Sequence, residues 1–148
     1  MAGRAAARLM DATAHGNPLA PGPCSHNVFI GKKPAWRGLP LAQVAQLLDT
    51  VTKLAEATAR VAASPVPNMK DIKAVEDYTQ KIASTMAMVD QHACAVVKPV
   101  PDGNGVVING SQTVLINNLP ACRMGDTIQE VTNVNKIIAG EFTVLIGS

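Results

Sequence analysis

Aromatic residues are scarce in this 148-residue chain: one Trp, one Tyr and two Phe. A core of ordinary size must therefore be aliphatic, filled by Val, Ile, Leu and Ala. Charge of one sign is lacking too. Thirteen Lys and Arg stand against eleven Asp and Glu, a net +2, and no basic cluster stands out, which excludes the electrostatic footprint of a nucleic-acid binder. No hydrophobic run is long enough to span a bilayer; the longest candidate, residues 39–63, is broken by Asp49, Lys53, Glu56 and Arg60. Arg4 and Arg8 are not followed by the apolar stretch of a secretory signal. Three cysteines, an odd number without a signal peptide, argue against a disulfide framework and for synthesis in the cytoplasm. Walker-type loops, dinucleotide fingerprints, G-x-S-x-G and H-E-x-x-H are all missing.

What is present falls into three zones. Residues 1–38 and 98–148 are short apolar runs punctuated by Gly, Pro and Asn, the pattern of strands and turns. Ile116-Asn117-Asn118-Leu119 predicts a hairpin, because Asn tolerates the positive φ of primed turns. Between these zones the period changes. Leu41, Val44, Leu48, Val51 and Ala55 recur at helical spacing, widened by Leu47, Leu54 and Val61. Pro65 and Pro67 stop that helix, and Asn68 with Asp71 predicts the capped start of a second, with Ile72, Val75, Ile82, Met86 and Val89 on one face. The expectation is an antiparallel helical hairpin inserted between two pieces of one β domain.

The β zones repeat a phrase. Ser25–Arg37 aligns with Ser111–Arg123, pairing Val28 with Val114, Ile30 with Ile116, Pro34 with Pro120, Ala35 with Ala121 and Arg37 with Arg123. A third copy, Thr143-Val144-Leu145-Ile146-Gly147, covers only the first strand. Three segments open with an acid: "DATAHG" at Asp11, "DQHAC" at Asp90 and "DTIQE" at Asp126. Three related units close around a pseudo-threefold axis or stack as a short solenoid, since so short a repeat cannot bury its own face.

The stretches "AARLMDATAHGNPLAPGP", "GKKPAWRG" and above all "GSQTVLINNLPACRMGD" resemble the PAAR-repeat family, tip proteins of the type VI secretion spike. The Pro-Ala-Ala-Arg motif stands in altered form as Pro34-Ala35-Trp36-Arg37 and Pro120-Ala121-Cys122-Arg123. The resemblance implies a mainly β fold, a small cone-shaped β-repeat domain with pseudo-threefold symmetry formed by residues 1–38 and 88–148 and interrupted by an inserted α-helical hairpin at 39–87. It further implies a non-enzymatic tip that caps a trimeric VgrG spike, one copy per trimer, and sharpens it for membrane puncture and effector delivery. Val28, Ile30, Val114, Ile116, Val144 and Ile146 are the residues expected to face that partner. Such a protein leaves the cytoplasm on the secretion needle and touches a membrane transiently. Many relatives run on into a toxin domain; this chain stops at Ser148, so no appended effector is expected.

Similar proteins hold a structural metal near the point of the cone. Pseudo-symmetry would bring His15, His92 and Cys94 together there, and His and Cys are zinc ligands. The fourth position is open between Asp102, which stands where relatives often carry His, and His26 or Cys122, both inside strand phrases. Alternatively Asp102 is a solvated turn acid, His15 caps a turn and Cys94 is a small buried hydrophobe. Two other functions remain in view: an adaptor whose hairpin recruits an effector or chaperone, and a small zinc hydrolase using Asp90 or Glu130 as base. Trp36 is expected where a strand unit meets the first helix.

Overall fold

The computed structural model describes residues 3–66, 68–94 and 103–148. In chain order its elements are β1 (Arg4–Ala6), β2 (Pro21–Gly22), β3 (Phe29–Ile30), β4 (Lys33–Pro34), α1 (Leu41–Ala63), α2 (Met69–Met86), β5 (Gln91–Cys94), β6 (Gly103–Val107), β7 (Leu115–Ile116), β8 (Leu119–Pro120), β9 (Thr127–Glu130), β10 (Val134–Lys136) and β11 (Glu141–Ile146). The fold is mainly β with an inserted helical hairpin, as the sequence predicts.

The repeated phrase forms matching hairpins. β3 pairs with β4 and β7 with β8, both antiparallel. Their tips, Gly31-Lys32 at φ 55° and 67° and Asn117-Asn118 at φ 53° and 64°, place two successive residues in the left-handed region that a type I′ turn requires. The third copy is completed from the other end of the sequence: β11 pairs antiparallel with β1, setting Leu145 against Ala5 and Ile146 against Arg4. Ala5-Ala6-Ala7-Arg8 thus occupies the place of Pro34-Ala35-Trp36-Arg37 and Pro120-Ala121-Cys122-Arg123.

These three tetrapeptides meet in a cycle. The Ala7 N–H donates to the Cys122 carbonyl (2.9 Å), Cys122 to Trp36 (3.1 Å) and Trp36 to Ala7 (3.1 Å). Bridges Arg8↔Ala35, Arg37↔Ala121 and Ala6↔Arg123 run the same way round. Ala6, Ala35 and Ala121 are fully buried with Ile30, Ile116 and Ile146, one of each per unit. Ala7, Trp36 and Cys122 belong to a second cluster with Leu19, Cys24, Val107, Ile128 and Ile137. Trp36 therefore fills the middle of the β domain, and the junction with the helices is made by other residues.

Each unit is locked by one Arg–Asp pair of constant geometry. In the first, Asp11 accepts from Arg8 N, Nε and Nη2 at 2.8, 3.2 and 3.0 Å. In the third, Asp126 accepts from the same atoms of Arg123 at 2.8, 3.2 and 3.1 Å. The partners are three residues apart in both. In the second unit Asp90 accepts from Arg37 at 2.7, 3.1 and 2.8 Å, across 53 positions. The helical hairpin therefore fills the place of a two-residue turn without changing the pair that closes the unit.

The hairpin forms as its signals predict. Asn68 caps α2 by accepting from Asp71 N (2.9 Å), and Arg60 reaches Asp71 across the turn (3.3 Å). The stripe of α1 that is buried is Val44, Leu47, Thr50, Leu54 and Ala57. Leu41 and Leu48 are exposed, so the facing stripe lies one position round from the one built on those two leucines. Thr50 tolerates burial because its hydroxyl donates to the Gln46 carbonyl (2.8 Å). Leu39, Val44, Leu47, Leu54, Ile82, Met86 and Val89 pack with Val106 on β6, flanked by Ile108, Leu119 and Val131.

Replacing residues 38–89 by Met-Gly, the pair that joins Arg123 to Asp126, should leave the β domain folded once Val106, Ile108, Leu119 and Val131 are made polar. Amide NMR dispersion checks this. Loss of dispersed signals would mean that the helices are required for the β units to close.

Candidate functional site

Beyond the ring of tetrapeptides each unit continues from its Asp, and the residue four positions on is His15, Cys94 or Glu130. The structure brings these three together, with one possible ligand atom from each lying within 4.8 Å of the others. His15 Nδ1 is 3.0 Å from Glu130 Oε1 and 3.7 Å from Cys94 Sγ. Cys94 ends β5, Glu130 ends β9, and His15 follows Thr13, which bridges to Ile137.

His92 joins them through strand register. His92 and Glu130 flank Gly105 on neighbouring strands, all three in register. A Cβ on Gly105 would lie 2.8 Å from Glu130 Cγ, so the absence of a side chain lets the two reach each other over β6. His92 Nε2 stands 3.5 Å from Glu130 Oε2, and both side chains are almost wholly buried. Nδ1 of His92 donates to the Pro18 carbonyl at 2.9 Å, because a carbonyl only accepts. Burial holds the His92 imidazole below its usual pKa, against smaller raising effects from Pro18 and Glu130. The neutral ring then aims the Nε2 lone pair at a carboxylate. Glu130 Oε1 is likewise buried, with His15 Nδ1 3.0 Å away.

Two lone-pair donors facing each other beside a buried anion is an arrangement that a cation satisfies. His15, His92, Cys94 and Glu130 offer two imidazole nitrogens, a sulfur and a carboxylate oxygen, a donor set suited to zinc. The sequence offers Glu130 only as a candidate base, and the structure places it among the possible ligands. Asp102 lies outside the described residues. Of the alternatives, His26 is exposed beside the Ser25 turn, and Cys122 is fully buried in the central core, where burial pushes its thiol well above the usual pKa. Asp90 accepts four hydrogen bonds, from Cys24 N (2.6 Å) and from three nitrogens of Arg37; its carboxylate is committed to closing the second unit.

The hairpin end has its own threefold set. Ile30, Ile116 and Ile146 are buried in the apolar cluster, with Val28 packed against it. Val114 and Val144, two residues before their isoleucines, remain partly exposed. Between them Phe29, Leu115 and Leu145 leave 59, 56 and 61 % of their surfaces exposed. Strand alternation turns these three to the opposite side from the valines and isoleucines. They are equivalent by register and large, and that alternation was the signal that could have found them.

Three units sharing one ring of hydrogen bonds, each contributing an exposed Phe or Leu from its hairpin strand and one of His15, Cys94 and Glu130, define a pseudo-threefold β-repeat protein. Residues 97–148, about a third of the chain, match the family model described as PAAR motif, which supports the resemblance to PAAR-repeat proteins. The motif is that of a structural family associated with the type VI secretion spike. No curated protein and no solved structure matches the chain. Among the described residues no helix is long and apolar enough to cross a membrane.

Proposed function

We propose that this chain is a non-enzymatic, metal-stabilised cap that seats on the end of a trimeric spike of the VgrG kind, one copy per three spike chains, and sharpens it for puncture and delivery. The observation that carries the reading is the cyclic hydrogen bonding of Ala7, Trp36 and Cys122. A single chain meets a threefold partner evenly only by presenting nearly the same surface three times, and the cycle relates three such surfaces. Phe29, Leu115 and Leu145 are the groups that the spike would cover.

Zinc would be held by His15, His92, Cys94 and Glu130. Thiolate and carboxylate together carry two negative charges, which a divalent ion neutralises where an unpaired buried charge is costly. When bound, the ion supplies a cross-link among the three units at the point with least room for an apolar core. The set holds four donors, so the reading does not require Asp102. Asp90 is committed to Arg37 and Glu130 sits among the donors, which leaves the hydrolase reading without its base.

Changing Phe29, Leu115 and Leu145 together to Asp is expected to weaken spike binding by about 100-fold or more, since exposed apolar anchors of this kind dominate interfaces. Calorimetry of the full chain against purified spike trimer reads the loss. Unchanged affinity with a native circular dichroism spectrum would place the spike contact elsewhere.

The insertion favours an added role as adaptor. It rises from one unit of three, so a symmetric spike has no equivalent partners for it. Val51, Ala55, Ala59, Val75, Val131 and Val134 line an apolar groove of about 760 Å³ between helices and β domain. The chain shortened at 38–89 should bind spike normally and fail to deliver an effector or chaperone carried by the hairpin. Normal delivery by the shortened chain would end the adaptor reading.

A further inference from the structure

Asn135, on β10 and almost fully buried, touches every part of the donor cluster except Cys94. Its amide cannot be turned round. Oδ1 accepts from the backbone N–H of His15 (3.2 Å) and of Lys136 (2.7 Å), which fixes Nδ2 as the inward end. Nδ2 lies 3.1 Å from Thr13 Oγ1, 3.1 Å from Glu130 Oε2 and 3.3 Å from His92 Nε2. All three are acceptors towards it. The Thr13 hydroxyl gives its own hydrogen to the Asn17 carbonyl, the carboxylate has none to give, and the His92 proton is on Nδ1, facing Pro18.

An amide NH₂ has two hydrogens, so three buried acceptors compete for two. One is always left short, and leaving a buried acceptor short is costly. A cation that took the His92 lone pair would remove the surplus acceptor and leave the amide with Thr13 and Glu130, two hydrogens for two acceptors.

We propose that Asn135 is the positioning residue of the metal centre: its amide holds His92 and Glu130 together before an ion arrives, then yields the His92 lone pair while Thr13 takes up the freed hydrogen. The inference rests on the metal reading above, and it assigns Thr13 a part as the amide's second acceptor in the loaded state. Neither residue is itself a ligand.

The test is equilibrium titration of the full-length protein with Co(II) as visible probe and Zn(II) in competition, on wild type, Thr13→Val and Asn135→Ala. Thr13→Val keeps the side-chain shape and stays clear of the ion, but leaves one amide hydrogen without a partner only after loading. Its metal affinity should fall by about 10-fold. Asn135→Ala should lower affinity by about 10- to 100-fold, the usual range for lost outer contacts to ligands, and alter the visible Co(II) spectrum. A merely structural role would lower thermal stability equally with and without metal and leave affinity and spectrum alone. Both variants binding within about twofold of wild type, with its spectrum, would overturn the assignment while leaving the metal centre standing. If Asn135→Ala does not fold, Thr13→Val decides alone. A wild-type chain that takes up neither ion would overturn the metal centre and this inference together.

Discussion

Asp90→Ala should lower the unfolding free energy by about 3–5 kcal/mol, the usual result of stripping one partner from a buried ion pair. For a chain of this size that is a fall in Tm of about 6–20 °C. Asp90 is fully buried and accepts from Cys24 N and from Arg37 N, Nε and Nη2. Removing the carboxylate leaves a guanidinium that is itself only 10 % exposed, and two backbone N–H groups without acceptors. The exposed pair Lys53–Asp49, 2.9 Å apart on α1, is the control: Asp49→Ala should leave the unfolding midpoints essentially where they are, because water screens an exposed pair. Thermal and urea unfolding of both variants measures the contrast. Equal, small shifts would mean that the Arg–Asp pairs do not hold the units closed.

The second large effect is that of the metal. Saturating zinc should stabilise the folded chain by about 4 kcal/mol at a thousandfold excess over its dissociation constant, raising Tm by about 8–16 °C. Chelator should reverse the shift. His15→Ala and Cys94→Ser should abolish it, because each removes one donor from a set contributed by different units. Differential scanning calorimetry with and without zinc reads the result. If wild type and both variants melt alike in chelator and in zinc, the cluster does not bind metal.

Much of this was legible in the sequence because each signal was local. Asn68 and Asp71 announced the start of α2, and the residue-by-residue match of Ser25–Arg37 to Ser111–Arg123 announced two equivalent hairpins. The unit that β1 and β11 share was harder to read because its halves lie at opposite ends of the sequence, and because Ala5-Ala6-Ala7 carries no periodicity. Ala7 does the same backbone work as Trp36 and Cys122, and the main chain makes those bonds whatever the side chain. The Arg–Asp spacing was masked in the second unit, where the helices separate Arg37 from Asp90. Glu130 was passed over because an acid at the end of a strand is ordinary. Counting four residues on from Asp11, Asp90 and Asp126 gives His15, Cys94 and Glu130, so the signal was present as a register. His92 is a different case. It stands two residues after Asp90, where Thr13 and Ile128 stand in the other units, and only the bare Gly105 between β5 and β9 brings it to the cluster.

The pseudo-threefold arrangement matters for function only if a threefold partner uses it. Native mass spectrometry of the full chain mixed with purified spike trimer and zinc tests that most directly. The account predicts one dominant complex of one chain to three spike chains, heavier by one zinc ion. Three copies per trimer, or no complex at all, would contradict it.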